Sequence, residues 1–100
     1  MIQGTTPTHV FVLPFDVSTV ARLQITYAQQ GTIRLQKTEK DCAMSGNEVS
    51  VRLTQLETLA FRAGTEVQVQ VRVLTPSGDA LASGIASVPV VRILAEDVIA

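Results

Sequence analysis

The chain has no tryptophan, and only one residue each of cysteine, histidine and tyrosine, at Cys42, His9 and Tyr27. A single cysteine excludes an internal disulfide and any Cys-x-x-Cys metal or redox pair, which leaves Cys42 as a small, buried or half-buried hydrophobe. A single histidine means that any metal site or Ser-His dyad would have to be built around His9. With four aromatic residues in all, few rings are left for the exposed platforms that bind sugars. Charge of one sign is lacking as well: eight Lys and Arg stand among nine Asp and Glu, for a formal net charge of −1. No basic stripe exists to neutralise a phosphate backbone, so neither DNA nor RNA is an expected partner. No apolar run approaches the roughly 20 residues that cross a bilayer as a helix, and no membrane partner is expected. The opening residues, MIQGTTPTHVF, carry neither the cationic region nor the apolar core of a secretory signal, so synthesis in the cytosol is expected.

What is abundant is alternation. In Thr65 to Leu74, Val67, Val69, Val71 and Val73 point to one side while Gln68, Gln70 and Arg72 point to the other, the pattern of a strand with one dry face. The same period of two recurs in HVFVL, RLQITYA, TIRLQ and EVSVRL. One hundred residues make one ordinary domain, which removes roughly two thirds of its unfolded surface from water.

Turn residues divide the chain. Residues 1–7 form an extended polar lead-in, loose unless something pins it. Strands are predicted over Thr8 to Leu13, Val20 to Ala28, Thr32 to Gln36 and Glu48 to Thr54, with Asp41 to Met44 as a short edge strand or connection. Gln30-Gly31, Ser45-Gly46-Asn47 and Thr75-Pro76-Ser77-Gly78-Asp79 supply the turns. Thr54-Gln55-Leu56-Glu57 matches a capping box and predicts one helical turn over Gln55 to Leu59, with Leu56, Leu59 and Phe61 closing the bottom of the core. Gly84 and Pro89 interrupt the last strand, a break that would let it leave one sheet and join the other. Val88, Val90, Val91 and Ile93 would continue it up to Leu94. Residues 8–94 are therefore expected to form an all-β domain, a small two-sheet immunoglobulin-like sandwich of six or seven strands with a short helical turn near 55–59. Residues 95–100 form a tail, Phe11, Phe15, Tyr27 and Phe61 are the aromatic core members, and a flattened barrel is the alternative.

No residues assemble into a catalytic or metal-binding pattern. His9 shares its strand face with Phe11 and reads as a half-packed strand histidine. The carboxylates lie in loops, turns and the tail, away from any predicted apolar pocket. The two Ser-Gly turns are neither a nucleophile elbow nor a phosphate loop. The chain is thus expected to be non-enzymatic and to need no cofactor or metal. The polar side of the valine-rich strand, Gln68, Gln70 and Arg72, with Gln24, Thr26, Arg34 and Gln36 beside it, is either plain solvated sheet or a wet contact surface. Val98 and Ile99 in the tail are further candidate interface residues.

The order GTTPTHVFVLPFD, ITYAQ, VSVRLTQLETLAF and VQVQVRVLTPSGDALAS resembles small structural proteins of tailed phages and prophages of gut Firmicutes. More distantly, it is similar to the N-terminal sandwich modules of phage baseplate upper proteins. The resemblance implies a structural part of a particle, made in the host cytoplasm and located in the virion on the tail or baseplate, with other virion proteins or copies of itself as partners. It implies no catalytic residues. A head decoration or fibre-attachment protein is the alternative within that class, and a glycan-binding adhesion module the alternative outside it.

Overall fold

The period-two segments become eight strands: β1 (Thr8–Val12), β2 (Arg22–Gln29), β3 (Thr32–Thr38), β4 (Cys42–Ser45), β5 (Glu48–Arg52), β6 (Glu66–Leu74), β7 (Ala80–Ala82) and β8 (Ala86–Pro89). One helical turn, α1 (Gln55–Leu59), lies between β5 and β6. This computed structural model describes all 100 residues. All ladders are antiparallel and fall into two sheets, β1-β5-β4 and β3-β2-β6-β7, with β8 also on β6. No ladder joins the two sheets, so the architecture is a β-sandwich and not a flattened barrel.

The alternation decides which side of each strand is dry. Leu23, Ile25 and Tyr27 of β2 and Val67, Val69, Val71 and Val73 of β6 line the inner face of the wider sheet, and Val49, Val51 and Leu53 face them from the narrower one. Burying each such side chain contributes roughly 1.5–3 kcal/mol. β6 bonds β2 along Val67 to Leu74 on one side, while β7 and β8 lie end to end along its other side. Gly84 thus breaks a strand, as its place in the sequence predicts, but the chain resumes on the same edge of the same sheet and does not cross to the other. At the break, the Val71 N–H donates to the Ser83 hydroxyl and the Ser83 N–H to the Val71 carbonyl, which keeps the edge of β6 satisfied without a regular strand. The crossings between sheets lie elsewhere, in the segments joining β1 to β2, β3 to β4 and β5 to β6.

The capping box forms as its residues dictate. The Glu57 N–H donates to the Thr54 hydroxyl at 3.2 Å, and the Thr54 N–H to the Glu57 carboxylate at 2.8 Å. In a helix this short only part of the predicted apolar set turns inward: Phe61 is buried and Leu59 half-buried, but Leu56 is 70% exposed and closes nothing. Phe11 and Phe15 are half-buried against the core. At the β2–β3 hairpin Gln30 (φ 52°) and Gly31 (φ 78°) both take the left-handed conformation that a tight two-residue turn demands.

Two glutamines hold the corner after α1. Gln29 continues the inner row of β2 and is fully buried. Its amide donates to the Arg62 carbonyl and the Thr65 hydroxyl, both at 2.6 Å, and its oxygen accepts from the Arg62 N–H at 2.7 Å. Gln3, also buried, donates to the Phe61 carbonyl at 2.7 Å. The lead-in is thereby pinned. Its backbone pairs in parallel with Val91, through Gln3 N–H to Val91 O and Val91 N–H to Met1 O, and Leu53 N–H donates to the Pro7 carbonyl. Regular strand ends at Pro89, but Val90 still pairs with the turn before β6, its N–H donating to the Thr65 carbonyl and its carbonyl accepting from the Gly64 N–H; Val91 then pairs with the lead-in instead of extending β8.

Replacing Gln29 by Leu leaves the Arg62 N–H and C=O inside without partners and is expected to lower the unfolding free energy by about 3 kcal/mol. Urea denaturation measures this, with Gln68→Leu on the exposed face changing stability by no more than about 0.5 kcal/mol.

Candidate functional site

The one histidine is placed by β1, whose odd-numbered residues face inward. His9 pairs with Val51 of β5, and its Nδ1 lies 2.7 Å from the Tyr27 hydroxyl across the interior. The Tyr27 ring in turn packs against Phe61 with centroids 5.9 Å apart. Tyr27 is fully buried, so its phenol needs this partner, and a neutral His9 with the proton on Nε2 accepts from it. Burial pushes the Tyr27 phenol well above its ordinary pKa, with Cys42 and Glu57 adding to the effect. Burial also lowers the pKa of His9, helped by the N-terminal ammonium.

Nearby, Lys37 points inward from the edge strand β3 and meets the Glu57 carboxylate at 2.5 Å. Burial pushes the Glu57 carboxyl up, but Lys37 and the Thr54 N–H outweigh it and the net shift is downward. On the rim, Glu39 accepts from the Leu23 N–H and pairs with Arg22 at 2.8 Å. The Cys42 thiol is shifted upward by burial and by Asp41, with Lys37 opposing, so little of it is thiolate at neutral pH. Every buried side-chain nitrogen and oxygen has a hydrogen-bond partner. These groups are spent on one another: the His9–Tyr27 and Lys37–Glu57 pairs close the space between the sheets, and their geometry is that of packing.

The candidate interface residues lie apart. Gln68, Gln70 and Arg72 run along the outer face of β6, where Gln70 is opposite Thr26 and Arg72 opposite Gln24, and Gln36 of β3 continues the row beside Thr26. Arg34 falls at the bulge between the Tyr27–Leu35 and Ala28–Ile33 pairs and drops out of that register. The Gln70 amide donates to the Ser83 carbonyl at 3.0 Å, so part of the row is engaged within the molecule. Val98 and Ile99 lie against the start of α1 instead. The Gln55 side chain accepts from the Ile99 N–H at 2.8 Å and donates to its carbonyl at 3.2 Å, while Val98 rests near Thr6 and Leu56.

Alternation predicted the outer polar row; it did not single out Gln29 and Gln3 as interior residues. The available signal for Gln29 was its parity with Leu23, Ile25 and Tyr27. No protein family, curated protein or solved structure matches the chain significantly.

Because the folded state resists protonation of His9 more than the unfolded state does, its contribution is whole above about pH 6.5 and is lost as the pH falls through the lower folded-state value. Unfolding free energies across this range should decline in the native protein, whereas His9→Gln, which keeps an acceptor for Tyr27 but does not titrate, should flatten that decline. The acidic groups Glu39 and Glu57, both lowered, act further down, below about pH 4.5.

Proposed function

We propose that this chain is a non-enzymatic structural component of a tailed phage or prophage particle, associated with the tail or baseplate and acting through protein–protein assembly. The observation that supports this reading is the balance of buried and exposed apolar surface. Thirteen hydrophobic residues form the core, and as many large apolar side chains stand exposed, among them Val10, Val12, Ile33, Leu56, Leu81, Leu94 and Ile99. The shape accounts for it: the Cα extents are 47 × 29 × 16 Å and the radius of gyration is 14.3 Å, against about 13 Å for a compact chain of this length. A slab two layers thick has little interior, and apolar side chains left on such a slab are covered when neighbours dock on it. The outer row of Gln68, Gln70 and Arg72 suits the polar, hydrated part of such contacts.

Particles induced from a strain carrying this gene and purified on a density gradient are expected to contain the chain at a fixed ratio to the other virion proteins. Asp at both Val98 and Ile99 should reduce that ratio while leaving the fold intact by circular dichroism. Absence of the native chain from purified particles would end this reading.

A further inference from the structure

The two layers of the sandwich do not match in width. The outer ends of the larger sheet are β3 on one side and the β7–β8 pair on the other, so it is four strands wide, whereas the smaller sheet has three. The missing position lies beside β1. There an apolar groove of about 270 Å³ opens between Leu13 and Phe15 on one wall and Val71, Val73, Leu81 and Ala82 on the other. Leu81 belongs to the inner face, opposite Val73, yet is 44% exposed because no strand lies above it.

Val12 at the end of β1 lines this groove, and the rest of β1 leads away from it as an open strand edge. The flanking bonds from Leu53 N–H to Pro7 O and from Leu13 N–H to Asn47 O put the odd-numbered residues of β1 on the side bonded to β5. Thr8, Val10 and Val12 therefore turn their N–H and C=O groups outward, unpaired. The other sheet edges carry features that discourage pairing. β3 has a bulge and the inward Lys37; β7 and β8 are short, interrupted, and end in Pro89; β4 is four residues long beside Asp41. β1 has no charge, proline or bulge, and its outward Val10 and Val12 are 53% and 68% exposed.

From this we infer that β1 accepts an added strand from a partner protein, an extended segment with aliphatic side chains at alternate positions, which completes the smaller sheet and fills the groove over Val73 and Leu81. Backbone pairing to Thr8, Val10 and Val12 supplies affinity, and the groove, which has no charged side chain in its lining, selects an uncharged facing row. The chain's own tail does not meet that requirement. Either face of residues 94–100 would carry Glu96 or Asp97 into the groove, at the cost of burying an unpaired carboxylate. The inference deepens the assembly reading by naming a surface, and it can fail while that reading stands, since particle incorporation could use other faces.

Titration with a lysine-flanked peptide alternating threonine and valine, followed by heteronuclear NMR, tests it. Amide shifts are expected at Thr8, Val10, Val12, Val73 and Leu81, with none when aspartate replaces valine in the peptide. Val10→Pro removes a donor that the folded sheet does not use, and Leu81→Asp places a carboxylate in the groove. Each should weaken binding by about tenfold or more while the remaining spectrum is unchanged. No shifts at β1 with the apolar peptide at millimolar concentration, or equal shifts with the aspartate peptide, would overturn the inference. So would a native dimer that Val10→Pro converts to monomer, because the edge would then belong to a second copy.

Discussion

The fold depends on one constraint: the four valines of β6 must leave water while both edges of the strand that carries them stay hydrogen-bonded. β2 satisfies one edge along its whole length and contributes Leu23, Ile25 and Tyr27 to the same dry face. The other edge is shared by β7 and β8, with the Ser83 hydroxyl bridging the gap between them. The narrower sheet then exists to cover the valine face, and Val49 and Val51 of β5 do so together with Leu53, which follows that strand.

Polar side chains carry the corners of this arrangement. Passing from one sheet to the other strips the backbone of its ladder partners, and a buried unpaired N–H or C=O costs about 1–3 kcal/mol. Gln29 and Gln3 meet that demand after α1, where their amides take the place of a neighbouring strand for Phe61 and Arg62. Glu57 serves twice, capping the helix through Thr54 and neutralising Lys37 at the sheet edge. His9 serves the phenol of Tyr27. The ionisable groups nearest the core thus have structural partners.

Thinness links the fold to the assembly reading. Two layers of short strands give a long, flat body with a small interior, and alternation guarantees that each strand also displays a second face. On β6 that second face is polar; on β1 it is Val10 and Val12, next to an edge and a groove that nothing in the chain covers. A surface of this kind gains from neighbours, as a repeated part of a symmetric particle would.

Much of the architecture was readable from residue order. Period-two valines mark β6 and its dry face because a strand's side chains alternate whatever surrounds it, and the Thr54–Glu57 spacing marks α1 because a capping box closes within one turn. Gln30-Gly31 marks its hairpin for a similarly local reason. Local chemistry does not say which sheet a strand joins. Gly84 could be recognised as a break, but only the free edge of β6 decided that the chain resumes there. Nor could spacing show that Gln29 would turn inward, that Leu56 would face water or that His9 would reach Tyr27, since each depends on what the second sheet brings within a few ångströms. By itself, then, the sequence determined the strands, their wet and dry sides and the turns, all consequences of interactions between near neighbours in the chain. The pairing order, the buried glutamines and the uncovered edge of β1 were decided by the tertiary structure, because they arise from contacts between segments far apart along it.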